Sequence, residues 1–373
     1  MISRSEFIKL TSLLCFEALR PTNMQAYNDS GSNIYLSAGF KEGKHYSLCG
    51  ISSSGRELYS IDLPTRGHAI AINQKTNECA IIARSPGNYV YIFDVKSGSI
   101  TNKIICNSDF HYYGHGFYSC DGRWLYTSEN EYESGKGFLG IYDSHHSYQL
   151  VKRIYTNGIG PHEIVLLKDG KTAAIANGGI LTHPDTGNTK LNLQDMVSKL
   201  TYVNLETGNL VAENELLPEY KFMSIRHLDV SSENKVALAM QYQGSGNKPN
   251  PLVGLSDINN GIKFFDTPIE VIYRMQNYCG SICFDSSGNF LAVSNPRGGM
   301  ITFWKVQNRS FYSLMEIKDG CGVSQSDEPN TFCISNGYGD LFKYWPIEHK
   351  KEKLKNNVKM TGWDNHLKLY LYF

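Results

Sequence analysis

Four histidines recur at one position in successive repeats of this chain: His68 in RGHAIAI, His115 in YGHGFYS, His162 in GPHEIVL and His227 in IRHLDVS. The first three are spaced 47 residues apart, and each opens a short apolar run, so they mark the phase of a repeat. A fifth, His366 in WDNHLKL, falls in the same phase near the C-terminus. Imidazole is the commonest transition-metal ligand. Five of them from adjacent repeats, with a carboxylate from Glu129 or Glu163, can surround an ion such as iron or copper.

The elements that must position these histidines are β-strands. Apolar alternation at period two, β-branched and aromatic residues and closely spaced turn dipeptides run almost end to end. The unit beginning at His68 reads HAIAIN, ECAIIAR, YVYIFDV and ITNKIIC, separated by the turns QKTN, SPGN and KSGS. Four strands with three tight turns make one propeller blade. Further units begin at His115, His162 and His227, near Ser281 and near Cys321. Residues 33–63 supply only three strands and the C-terminus one, HLKLYLYF, so the two ends together complete a seventh unit.

The predicted architecture is therefore all-β. It is a seven-bladed β-propeller of four-stranded antiparallel blades over residues 31–373, closed by the C-terminal strand joining the N-terminal three and preceded by a separate segment, 1–30. A pair of β-sandwiches is the competing architecture, but it requires neither a constant repeat nor complementary ends. No long segment of 3.6-residue period supports a helical or α/β reading.

In such a blade the start of the first strand and the end of the second lie on one face of the disc. That face is expected to gather the histidine ring (His366, His68, His115, His162, His227, completed by Ser281 and Val323) and a second polar ring. The second comprises Arg84, Glu129, Asn177, Gln241, Asn295 and Asn336, with Arg66, Glu163, Arg226 and Arg297 beside the same mouth. Two loops are expected over it. One is ENEYESGKG; the other, GGILTHPDTGNTKLN, carries His183, Asp185 and Lys190 and is long enough for a lid. Three roles for the ring follow: a metal site, a site for a small anionic ligand held by Arg66, Arg84, Arg226 and Arg297, or a purely structural ring. The structural role is motivated by Gly67-His68 and Gly114-His115, which resemble the strand-tying Gly-His dipeptide of WD-repeat propellers. A metal-dependent redox enzyme or lyase acting on an anionic substrate and a protein-interaction scaffold stand as alternatives to a binding protein. No G-x-S-x-G elbow, H-E-x-x-H helix, Walker loop or dinucleotide fingerprint is present.

Lys and Arg together number 36, as do Asp and Glu, so no global field favours nucleic acid or an anionic membrane. The one basic run, His349 to Lys355, contains Glu352 and reads as a solvated loop. Nine cysteines, an odd count without a CxxC pair, argue against a zinc ribbon or a complete disulfide framework. The N-terminal SRSEFIKLTSLLCF is similar to a worn twin-arginine export signal, with Ser5 in place of the second arginine. Its apolar stretch, interrupted by Glu17, is too short to span a bilayer. A periplasmic location is expected, a cytoplasmic one is the alternative, and no membrane span is expected.

RGHAIAIN, ARSPGNYVYIFD, YGHGFYSCDGRWLYTSENEYESGKGFLGIYD, GIGPHEIVLLKDGKTAAIANGGILTHPDTGNTKLNL, SIRHLDV, MQYQG, SNPRGG and the terminal WDNHL closely resemble the bacterial family of domain of unknown function 1513. The resemblance spans residues 31–373. It implies a seven-bladed propeller exported by the twin-arginine route, often encoded near imelysin-type and iron-acquisition proteins, and hence an iron-uptake or imelysin-like partner in the periplasm. No established activity comes with it, so no catalytic role is carried over. The positions that match are His68, Arg84, His115, Glu129, His162, Glu163, Asn177, His183, Arg226, His227, Gln241, Arg297 and His366; Ser5 is the departure.

Overall fold

The computed structural model describes residues 33–372 apart from 44, 187, 188, 247 and 356. The export-signal expectation falls on residues 1–30, outside the described residues. Strands account for nearly all the regular structure, and the one described α-helix is the short Ile269–Arg274. Among the described residues no helix is long and apolar enough to cross a membrane.

Ile34–Lys41 (β1), His45–Ser52 (β2) and Glu57–Leu63 (β3) are the first three strands. Five four-stranded antiparallel sheets follow. They are Gly67–Ile72, Glu78–Ala83, Tyr89–Asp94 and Ile100–Ile105 (β4–β7); then Phe110–Tyr118, Trp124–Glu131, Lys136–Asp143 and Gln149–Ile159 (β8–β11). The third is Pro161–Leu166, Thr172–Asn177, Lys199–Asn204 and Leu210–Glu215 (β12–β15). The fourth is Met223–Val230, Val236–Tyr242, Val253–Asp257 and Gly261–Phe264 (β16–β19), and the fifth is Ser281–Phe284, Phe290–Asn295, Met300–Lys305 and Ser310–Glu316 (β20–β23). Gly320–Gln325, Phe332–Asn336, Leu341–Trp345 and Lys350–Lys353 (β24–β27) precede the last strand, Met360–Tyr370 (β28).

As the incomplete ends required, β28 pairs antiparallel with β1, Tyr370 opposite Ile34. This unit does not stand alone in its hydrogen bonding. A single parallel pairing, Val323 with His366, joins it to β24–β27 in an eight-stranded sheet ordered β27-β26-β25-β24-β28-β1-β2-β3. First strands also pack on one another in sequence: β4 on β8, β8 on β12, β12 on β16, β16 on β20, β20 on β24, β24 on β28 and β28 on β4.

Packing explains the composition of each strand. The second strands ECAIIA, TAAIAN and FLAVSN are buried almost throughout, because each sheet is covered on both faces by its neighbours. The core is accordingly a series of layers between sheets. In one, Ala71, Ala80, Ile82 and Val90 meet Tyr112, Tyr118, Leu125 and Tyr142; in the next, Tyr126, Leu139 and Ile141 meet Ile164, Ala173 and Ile175. Fourth strands have only one covered flank and are more exposed, some with apolar side chains in solvent, such as Leu150 and Val151 in β11 and Leu210 and Val211 in β15. KKEK in β27 is exposed along its length, so the basic run expected as a loop is a charged edge strand, a composition that discourages edge-to-edge pairing. All eight described cysteines are free, in line with the lack of a disulfide framework.

Candidate metal centre

The first strands do not run in even register through their histidines. Pairing slips between Gly67 and Ile70 in β4, Tyr112 and Gly116 in β8, Pro161 and Ile164 in β12, and Ile225 and His227 in β16. In β28 the residues paired with β1 skip from Leu367 to Trp363. Each histidine thus sits in or beside a bulge, which frees it from the alternation of the pleat and re-aims its side chain. Gly114 permits one of the closest approaches: its φ is +100°, and a Cβ there would lie 2.7 Å from Cδ2 of His68.

The result is one cluster. The His68 ring centroid lies 4.5 Å from that of His366 and 4.9 Å from that of His115. His115 lies 4.8 Å from His162 and 4.6 Å from His366, and His227 lies 4.8 Å from His162 and 5.1 Å from His366. His68, His115, His227 and His366 are buried; His162 keeps a partly open edge.

Two buried carboxylates serve the cluster. Asp364 Oδ1 lies 2.7 Å from His68 Nδ1, while Arg66 Nε donates to Asp364 Oδ2 at 2.5 Å. Glu163 Oε2 lies 3.2 Å from His227 Nδ1 and accepts from the Leu228 amide at 3.2 Å; Oε1 is 3.6 Å from His115 Nδ1, beyond hydrogen-bond length. Both His115 ring nitrogens, His162 Nδ1 and His366 Nε2 are buried without a hydrogen-bond partner. Burial pushes all five imidazoles below their ordinary range, His68 to about 4, against the opposing pull of Asp364. Burial acts to raise the Glu163 carboxyl, but His115 and His227 outweigh it and hold the group well below the usual carboxylate range. At neutral pH the cluster therefore presents neutral imidazoles and an anionic carboxylate, the forms that coordinate metal.

One donor atom each from His115, Glu163, His227 and His366 lie within 4.8 Å of one another, and a second such group is His68, His115 and His162. Donors sharing one tetrahedral ion through bonds of about 2.0–2.2 Å lie about 3.3–3.6 Å apart, so donors separated by up to 4.8 Å must draw inward to close the set. The donors are imidazole and carboxylate, a combination that suits iron, copper or zinc.

Other expected residues are sorted differently. Arg84, His183 and Arg226 join His68 and His162 around a cavity of about 140 Å³ on the open side of the cluster, together with Tyr113 and Thr182. Arg66 is engaged by Asp364, and the Arg297 guanidinium lies 4.3 Å from the Tyr278 ring centroid. The second polar ring does not form at this mouth. Glu129 takes hydrogen bonds inside its own sheet from Thr127, Tyr142 and Arg153, at 2.8, 2.6 and 2.6 Å. Asn177 bonds Thr156 and Thr201, and Gln241 donates to the Cys279 carbonyl at 2.9 Å. A polar side chain turned between strands must find partners there, and these three do. The ENEYESGKG loop is also absent as such, because β9 and β10 extend through it to a tight turn closed by Gly135 N to Glu131 O.

Asp364 is the functional residue the sequence reading missed. Its signal was present: Arg66, just before β4, and Asp364, in β28, each stand two residues before a ring histidine, and β4 and β28 pack together.

Compared with known proteins, residues 61–370 match the family model described as "Protein of unknown function (DUF1513)". No curated protein matches the sequence. Among solved structures, hydrazine synthase of Kuenenia stuttgartiensis is similar, with a TM-score of 0.59 at 12% identity, covering 90% of this chain and 100% of that one. That likeness concerns the fold alone. The family match includes every first strand that carries a ring histidine, from His68 to His366, and most of the sequence, so the chain belongs to the DUF1513 family.

Proposed function

We propose that this protein is a seven-bladed β-propeller that binds a transition metal, iron or copper, on the buried histidines where its first strands converge. The propeller reading is supported by the packing of first strands, which passes from β4 through β24 to β28 and back to β4. The observation that carries the metal reading is the set of unbonded ring nitrogens on His115, His162 and His366, in one cluster with the anionic Glu163. Histidines that only tied strands together would spend those nitrogens on hydrogen bonds, since a buried polar atom without a partner costs about 1–3 kcal/mol.

His115, Glu163, His227 and His366 would hold the ion, with His68 oriented beside them by Asp364. On this reading the protein is a binding protein rather than an enzyme. It acts in the periplasm, alongside the iron-acquisition or imelysin-like proteins that the family resemblance implies.

The test is metal content by mass spectrometry of the full chain produced in metal-replete medium, beside a His115→Ala, His162→Ala double variant. The expected result is about one equivalent in the wild type and none in the variant, with a metal-dependent rise in the wild-type melting temperature. A wild type that carries no metal, and whose melting temperature does not respond to added iron or copper, overturns the reading.

A further inference from the structure

The geometry points to a second ligand in the same mouth, a small oxyanion held between the guanidinium groups of Arg84 and Arg226. The cavity they line encloses about 140 Å³, roughly the space of four or five waters. His68 and His162 contribute to it on the side of the cluster, Tyr113, Thr182 and His183 contribute elsewhere, and no carboxylate lines it.

Cations near a protein interior are ordinarily paired, and Arg66 follows that rule with Asp364. Arg84 and Arg226 do not. Among the described residues neither guanidinium makes an ion pair or a hydrogen bond, and Arg226 Nε is shut off from solvent with nothing to donate to. The sign repeats near Arg226: burial, then repulsion from Arg226 and Arg297, holds the Lys190 ammonium below its usual range. Unpaired guanidinium forks around a pocket of this size match a carboxylate or a tetrahedral sulfate- or phosphate-type group, whose oxygens accept two or more charged N–H donors at once. The anion site goes beyond the metal reading and does not require it, since its donors are arginines outside the coordinating set.

The experiment is calorimetric titration of the full, metal-free chain with sodium sulfate and, separately, sodium acetate, with metal uptake measured on the same preparation. Saturable binding of at least one of the two anions is expected. Arg84→Gln and Arg226→Gln should each weaken it at least about tenfold, as loss of a charge-assisted hydrogen bond does. Arg123→Gln, which alters a guanidinium paired with Asp143 outside the cavity, should leave it unchanged. Because Arg226 adjoins His227, protection of wild-type Arg84 and Arg226 from phenylglyoxal by the same anions, read by peptide mass spectrometry, supplies a test that needs no variant. Absence of saturable binding together with absence of protection overturns the proposal, as does binding that neither substitution weakens. A preparation that binds the anion but takes up no metal supports this site and overturns only the metal reading.

Discussion

Glu129 and Glu163 are both buried carboxylates, one in β9 and the other in β12 of the next sheet, and their surroundings differ in completeness. Glu129 is enclosed by donors: Thr127, Tyr142 and Arg153 all bond it. Tyr142 in turn meets the Tyr112 hydroxyl at 3.1 Å, and the Arg153 guanidinium lies 3.8 Å from the Phe110 ring centroid. Only Arg153 Nη2 is left over. Glu163 instead faces imidazoles, several of whose nitrogens bond nothing. A closed polar network rigidifies the sheet that contains it and has no capacity for a ligand. An open one made of neutral donors around an anion keeps that capacity, and retaining its unpaired groups costs stability.

The sharpest test of this contrast applies one substitution in both places. Glu163→Gln removes the anionic donor and should abolish the metal-dependent stabilisation, which at a thousandfold excess of ion over Kd is about 4 kcal/mol. The metal-free protein should change by only about 1 kcal/mol. Glu129→Gln should do the reverse. It strands the Arg153 charge and should destabilise the protein by about 3–5 kcal/mol in denaturant unfolding, with metal stoichiometry intact. Equal effects of the two variants on metal content would break the comparison.

Acid should act on the open region. In the unfolded chain a histidine titrates near 6.5, while folded His68 titrates at about 4, so between those values the unfolded state binds protons that the native state refuses. Stability of the metal-free protein should therefore fall as pH drops from about 6.5 towards 4, by on the order of 3 kcal/mol from His68 alone. His115, His162, His227 and His366 add in the same direction. Glu163 and Asp364, whose carboxyls are held low, contribute stability that is lost only at more acid pH. Unfolding curves at pH 7.5, 6 and 5 check the sign, and a flat profile would count against the buried neutral cluster. The smallest effect is expected from Asp364→Asn, which loosens His68 and Arg66 without removing a donor from the Glu163 set. It should lower metal affinity less than Glu163→Gln does, read by competition with a chelator.

Much of this was legible in the sequence. Apolar alternation and turn chemistry are local signals, and they located the four-stranded units, the phase of the histidines and the pairing of β28 with β1. The candidate site was only half legible. Glu129 and Glu163 were equivalent as letters near histidines, and the end-of-strand residues Asn177 and Gln241 aligned as well with the mouth as Arg84 did.

What the sequence determined by itself is the set of strands and the repeat that brings five histidines to corresponding places in it. What only the tertiary structure decided is where those side chains point and which partners they meet. Glycines such as Gly67 and Gly114 only hint at a bulge and do not say how the register slips, and it is the bulges at Gly67–Ile70, Tyr112–Gly116 and Pro161–Ile164 that free the histidines from the alternation of the pleat. The pairings of Asp364 with His68 and Glu163 with His227 are made between neighbouring sheets, across separations of 296 and 64 residues. No local pattern encodes contacts of that range; they form only when the sheets pack.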